Sequence, residues 1–179
     1  MKVLVAYGSR LGATEGIAER IGEVLRSEGL VVSVQPAAGA GPIEDYGAAV
    51  LGGGIYAGHW HRSVKDFVDE HADALRQMPV WLFSSGPIGE RAIEAVPIDA
   101  VEIAGRAARL HARGHKVFVG ALDRSRLERS DLSGIERLVT RAFMPEGDWR
   151  DWHAIEAWAH AIAAELNGAP LRELTAATT

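Results

Sequence analysis

Cysteine is absent from the 179 residues, so disulfides, thiolate metal sites, iron–sulfur clusters and cysteine nucleophiles are excluded. A basic excess is missing as well. Nineteen Lys and Arg against 24 Asp and Glu leave a formal net charge of −5, whereas nucleic-acid binding needs a positive face. No run approaches the ~18 uninterrupted apolar residues of a membrane helix. The N-terminal run Val3-Leu4-Val5-Ala6-Tyr7, interrupted by Gly8-Ser9-Arg10, has the length of a strand rather than of a secretion signal. What is present is ordinary for a folding chain: 47% hydrophobic and 24% charged residues, in a length suited to one domain. The expectation is a cytoplasmic, single-domain protein with no integral membrane segment and no nucleic-acid partner.

The periodicity alternates between two kinds of segment. Short apolar runs lie at Lys2–Tyr7, Val31–Gln35, Ala48–Gly52, Val80–Ser84 and Lys116–Leu122, mostly without polar alternation. Strands read this way when helices cover both faces of their sheet. Helical patterns lie between them. Ile17, Ile21 and Leu25 form one stripe, and Gly29 follows it as a stop signal. Ser63 is an N-cap for a helix carrying Val64, Phe67, Val68 and Leu75. A third helix is expected from about Ile98 to Leu110 after Pro97, and the clearest repeats Trp152, Ile155, Ala159, Ile162 and Leu166. Strands alternating with helices imply a parallel α/β sheet with right-handed crossovers. The connection Asp123–Arg150, with a helix expected at Ser133–Phe143, carries six arginines and six acids and is charge-balanced. Asn167–Thr179 is expected to be a flexible tail.

In an open parallel sheet, ligands bind beyond the carboxyl ends of the strands. Three post-strand segments stand out there. The first, Gly8-Ser9-Arg10-Leu11-Gly12-Ala13-Thr14, runs straight into a helix. A helix N-terminus offers unpaired N–H groups and the positive end of a dipole, so this loop can hold a phosphate or can be a plain tight turn. It is neither a Walker loop nor a Gly-x-Gly-x-x-Gly turn. The second, Gly52-Gly53-Gly54-Ile55-Tyr56-Ala57-Gly58-His59-Trp60-His61, brings two aromatics to the same rim. Its glycines permit close approach to a flat ligand. His59 and His61 without partnered carboxylates do not make a metal site. The third is Ser84-Ser85-Gly86-Pro87-Ile88-Gly89. His111 and His115 lie at the amino end of the last strand and read as solvated surface residues. Trp149, Trp152 and Trp158 read as packing groups.

Together the three loops resemble those of flavodoxins, whose first loop has the form Ser/Thr-x-x-Gly-x-Thr, matched here by Ser9, Gly12 and Thr14. Leu11 stands where that family often has a third hydroxyl. The resemblance implies a three-layer sandwich with a five-stranded parallel sheet in the order 2-1-3-4-5, an FMN-binding domain over residues 1–166. It implies phosphate binding by Ser9, Arg10, Leu11, Gly12, Ala13 and Thr14. The flavin ring would then be enclosed by Gly54, Ile55, Tyr56, Ala57, Gly58, His59 and Trp60 together with Ser84, Ser85, Gly86, Pro87, Ile88 and Gly89, with Tyr56 or Trp60 stacked on it. No general acid or base is evident.

A narrower stretch, Gly54–His61 with Phe67-Val68 and His71, Gly120-Ala121-Leu122 and Asp148-Trp149, resembles the menaquinone-dependent protoporphyrinogen oxidases. Those enzymes carry a longer aromatic and basic insertion at the position of Asp123–Arg150. The expected function is therefore electron transfer or small oxidoreductase chemistry with FMN. Its partner would be a redox protein or a small electron donor or acceptor, a quinone among them. Protoporphyrinogen oxidation is the alternative, and a cofactor-free interaction module is the second.

Overall fold

The computed structural model describes residues 1–56, 58–86, 100–130 and 132–168. Five parallel strands make its centre: β1 (Lys2–Gly8), β2 (Val31–Pro36), β3 (Ala48–Tyr56), β5 (Val80–Ser85) and β6 (Gly114–Phe118). They lie in the order β2-β1-β3-β5-β6, and a short β4 (His59–Trp60) folds back antiparallel on β3. Leaving out that hairpin, the order is the expected 2-1-3-4-5.

The two faces of the sheet are sorted by alternation. Val3, Val5, Ala48, Val50, Trp81, Phe83 and Phe118 face one core. Leu4, Ala6, Ala49, Leu51, Val80 and Leu82 face the other. Period two along each strand sends neighbours to opposite faces, so a continuous apolar run is what a doubly covered strand requires. The first core is closed by α1 (Ala13–Ser27) and α6 (Trp152–Leu166), through Ile17, Ile21, Leu25, Ile155, Ala159 and Ile162. Each of those side chains is 1% exposed or less, and burying one of the isoleucines or the leucine contributes about 1.5–3 kcal/mol. Phe83, Phe118 and Trp158 meet there with ring centroids 5.7–6.3 Å apart. The second core lies under α2 (Arg62–Glu70), α3 (Ala72–Leu75) and α4 (Ala100–Leu110).

Local signals explain most boundaries. Gly29 takes a positive φ of 85° where α1 stops, and the Leu30 N–H donates back to the Leu25 carbonyl. The Asp151 side chain accepts the Ala154 N–H and starts α6. In α2 the cap is His61 rather than Ser63: its Nδ1 accepts the Ser63 N–H at 3.3 Å. The start expected for α4, at Pro97 and Ile98, lies outside the described residues.

The fifth strand departs from expectation, because it ends at Phe118 instead of running to Leu122. Ala121–Leu122 forms a separate β7, paired antiparallel with β8 (Gly147–Asp148). This two-residue ladder closes the base of an insertion that holds a 3-10 helix, Arg124–Arg129, and α5 (Gly134–Phe143). On α5, Ile135, Leu138 and Val139 are 50–77% exposed.

Candidate functional site

The carboxyl ends of β1, β3 and β5 adjoin by register, with Gly8 beside Gly53 and Gly54 beside Ser85. The first loop leaves β1 at this edge and enters α1 through Gly12, whose φ of 82° suits glycine. Among the described residues, no side chain caps α1. Its first turn therefore presents N–H groups and a positive dipole end without a side-chain acceptor. The Ser9 hydroxyl accepts the Gly12 N–H at 2.9 Å and holds the loop curled. Thr14 is 1% exposed, packed beneath.

The Arg10 N–H donates to the Tyr56 hydroxyl at 2.9 Å. Burial pushes the Tyr56 phenol above its ordinary value, opposed by the Arg10 hydrogen bond and charge and by the nearby Ser9 side chain and Leu11 amide. A loop amide aimed at an acceptor beside a helix start fits a phosphate oxygen. An open cleft of about 520 Å³ lies against it, lined by the loop, Tyr7, His61 and Arg126 among others. Ligand pockets typically span ~300–1,000 Å³.

Positive charge comes from the insertion. Arg126 crosses the loop so closely that a Cβ on Gly12 would lie 1.8 Å from its Nη1. That Nη1 donates to Glu15 Oε2 at 2.7 Å. The carboxylate's other oxygen accepts the Tyr7 hydroxyl at 3.0 Å. Burial, then the Glu15 hydrogen bond, pushes the Tyr7 phenol up to about 12. Arg126 is set by its neighbours: Asp123 caps the 3-10 helix by accepting the Ser125 N–H, and Leu127 is fully buried.

These features sit on a sheet whose relatives are known. The flavodoxin domain family matches residues 4–142. The chain belongs to that family. Among solved structures, a flavodoxin from the domain Archaea superposes with a TM-score of 0.63 at 16% identity, over 93% of this chain and 99% of that one. A flavodoxin of Streptococcus pneumoniae TIGR4 does so at 0.60 and 18%, over 92% and 99%. The protoporphyrinogen IX dehydrogenase [quinone] of Escherichia coli K12 is 29% identical over 102 residues, which are 54% of this chain and 55% of that protein. The chain thus spans about half the length of the curated relatives it matches.

Within this flavodoxin-like frame, the expected ring residues are placed in several ways. Tyr56 lies against the loop after β1, where its hydroxyl accepts the Arg10 N–H. Trp60 is 2% exposed, packed in the second core; the antiparallel turn of β4 points it inward, away from the rim where it was expected to stack. Its Nε1 has no hydrogen-bond partner among the described residues. The glycines of β3 admit the protein's own aromatics: a Cβ on Gly52 would meet Phe83 at 1.9 Å, and one on Gly53 would meet Trp60 at 2.4 Å.

The histidines are spoken for as well. His59 contacts Glu102 at 3.3 Å, and Glu102 also pairs with Lys65 and Arg106. Ser84 is fully buried, and its hydroxyl bonds to His115 Nε2 at 2.8 Å. His115 is exposed, as expected of a surface residue, but its Nε2 side is engaged by Ser84, and partial burial there holds its imidazole below the ordinary value. Ser85 and Gly86 are buried, and the Gly86 N–H donates to the Phe118 carbonyl. Ala57, Pro87, Ile88 and Gly89 lie outside the described residues. Sequence reasoning missed Arg126, Glu15 and Tyr7. The only hint was Arg126 in a charge-dense connection, and nothing local ties it to a carboxylate 111 residues away.

Proposed function

We propose that this chain is a redox protein that binds FMN, with the terminal phosphate in the loop after β1. The observation that carries this reading is the Arg10 N–H aimed at an acceptor oxygen, with Ser9 and Leu11 beside it, at a start of α1 that no described side chain caps. Gly12, Ala13 and Thr14 would complete the phosphate site. Arg126 would bring a cation, turning from Glu15 toward the ligand. The backbone of Gly54, Ile55 and Gly58, together with Ser84–Gly89, would flank the ring. Bound there, the flavin would supply one- and two-electron chemistry, while the protein supplies binding, orientation and electrostatics. The partner would be a redox protein or a small donor or acceptor.

A second reading, quinone-linked oxidation of protoporphyrinogen, is favoured by the half-length similarity to the Escherichia coli dehydrogenase and by the exposed Ile135, Leu138 and Val139 of the insertion. The carrier reading stands first because the insertion's six arginines are balanced by six acids, giving no net attraction to an anionic membrane. Protoporphyrin formation by the FMN-loaded protein with a menaquinone analogue would favour the second reading.

Calorimetric titration of flavin-free protein tests the FMN assignment. One FMN should bind per chain, about 100-fold or more tighter than riboflavin, because each hydrogen bond to a charged group contributes ~1.5–3 kcal/mol. Arg126→Gln should weaken FMN about 3–10-fold, more at low salt, and leave riboflavin unchanged. Equal affinity for riboflavin and FMN would remove the phosphate-loop assignment.

A further inference from the structure

We propose that Tyr56 is a built-in competitor for the phosphate loop: its phenolic oxygen holds the acceptor position that the FMN phosphate takes, and the ligand binds by displacing it. This rests on the FMN reading. The Arg10 N–H already donates to that oxygen, with the Ser9 side chain and the Leu11 amide beside it. The ring is steadied from several sides. The Arg10 guanidinium lies 5.4 Å from its centroid, and His61 meets it nearly edge-on at 5.8 Å. Beneath it, a Cβ on Gly54 would lie 2.7 Å from Tyr56 Cε2 and 3.0 Å from its hydroxyl. A side chain on residue 54 would therefore displace the ring.

The exchange follows from charge. A neutral phenol offers one oxygen to the donors, whereas a phosphate dianion offers three and makes charge-assisted bonds roughly twice as strong. The dianion wins, but it first has to break the contacts that Tyr56 makes. The observed affinity is lowered by the fraction of molecules in which the loop is already taken. Position favours release: Tyr56 is the last residue of β3, and its antiparallel partner His59 belongs to a two-residue ladder. A ligand lacking a terminal anion does not need the loop and escapes the competition.

Tyr56→Phe keeps the ring and removes only the oxygen. Inorganic phosphate, FMN and riboflavin are titrated into flavin-free wild type and variant. The variant should bind inorganic phosphate and FMN about 3–10-fold tighter, with riboflavin unchanged. Weaker binding would make the hydroxyl a ligand of the phosphate, and equal binding would make it a bystander; either overturns the proposal. In wild type, saturating inorganic phosphate should shift the Tyr56 ring proton resonances, and bound phosphate without that shift also overturns it. The two readings fail separately. Tighter phosphate binding in the variant, with FMN bound by neither protein, would sink the FMN assignment and keep the competition. Tight FMN binding of equal strength in both would do the reverse.

Discussion

Glu15 occupies the first turn of α1, where a carboxylate is favoured by the helix dipole. The same charge beside a phosphate site would repel the ligand. Two neighbours restrain it: Tyr7 donates to one oxygen and Arg126 to the other. The cost shows on Tyr7, whose phenol is pushed up to about 12 by burial and by this carboxylate. The sign follows directly. Between pH 10.0, the ordinary value, and about 12, the unfolded chain has lost this proton and the folded protein keeps it. The contribution of Tyr7 to stability is whole below that window and is lost as pH rises through it. Absorbance titration at 295 nm, with Tyr7→Phe as the subtraction, should find this phenol ionising near 12. Glu15→Gln should bring it down toward the ordinary value. Ionisation of Tyr7 at the ordinary value in the unaltered protein would mean that the Glu15 contact does not form in solution.

Among the elements, β1, β3 and β5 were legible because both faces of each are buried, which leaves an uninterrupted apolar run. The edge strands β2 and β6, where Val31 and Val117 are exposed, were legible only from short β-branched runs. The helix stripe Ile17-Ile21-Leu25 and the stripe from Trp152 to Leu166 were legible for the corresponding reason at period 3.6. The β7–β8 ladder was not, since two residues a side carry no period, and the 3-10 helix is too short to show one. Of the site, the curled loop at Ser9–Thr14 could be read from its glycine and hydroxyl spacing. The inward turn of Trp60 and the reach of Arg126 could not, because both are set by tertiary packing.

The insertion is also separable in energetic terms. Its buried Leu127 and Leu132 belong to neither sheet core, and Leu122 already lies opposite Gly147. Replacing residues 123–146 by an Asn-Gly turn should leave a protein that unfolds in one cooperative transition. It should bind FMN at least as weakly as Arg126→Gln does. A chain that no longer folds, or one that binds FMN at full strength, would show that the insertion's part in the molecule has been misassigned.

At the scale of the whole molecule, a flavodoxin-like sheet with two sorted cores brings three strand ends to one edge, and α1 starts there without a side-chain cap among the described residues. The formal charge of −5 disfavours an anionic ligand at long range. Under the proposed reading, affinity comes from donors fixed at short range in the loop after β1. The most direct test is the phosphorus resonance of bound FMN, followed by nuclear magnetic resonance from about pH 5 to 8.5. A free phosphate monoester loses its second proton at about 6. Held by the loop amides and Arg126, the phosphate should stay dianionic across this range, with a resonance displaced from that of free FMN and nearly constant. A resonance that titrates at about 6 like the free cofactor would place the phosphate in water and contradict the account.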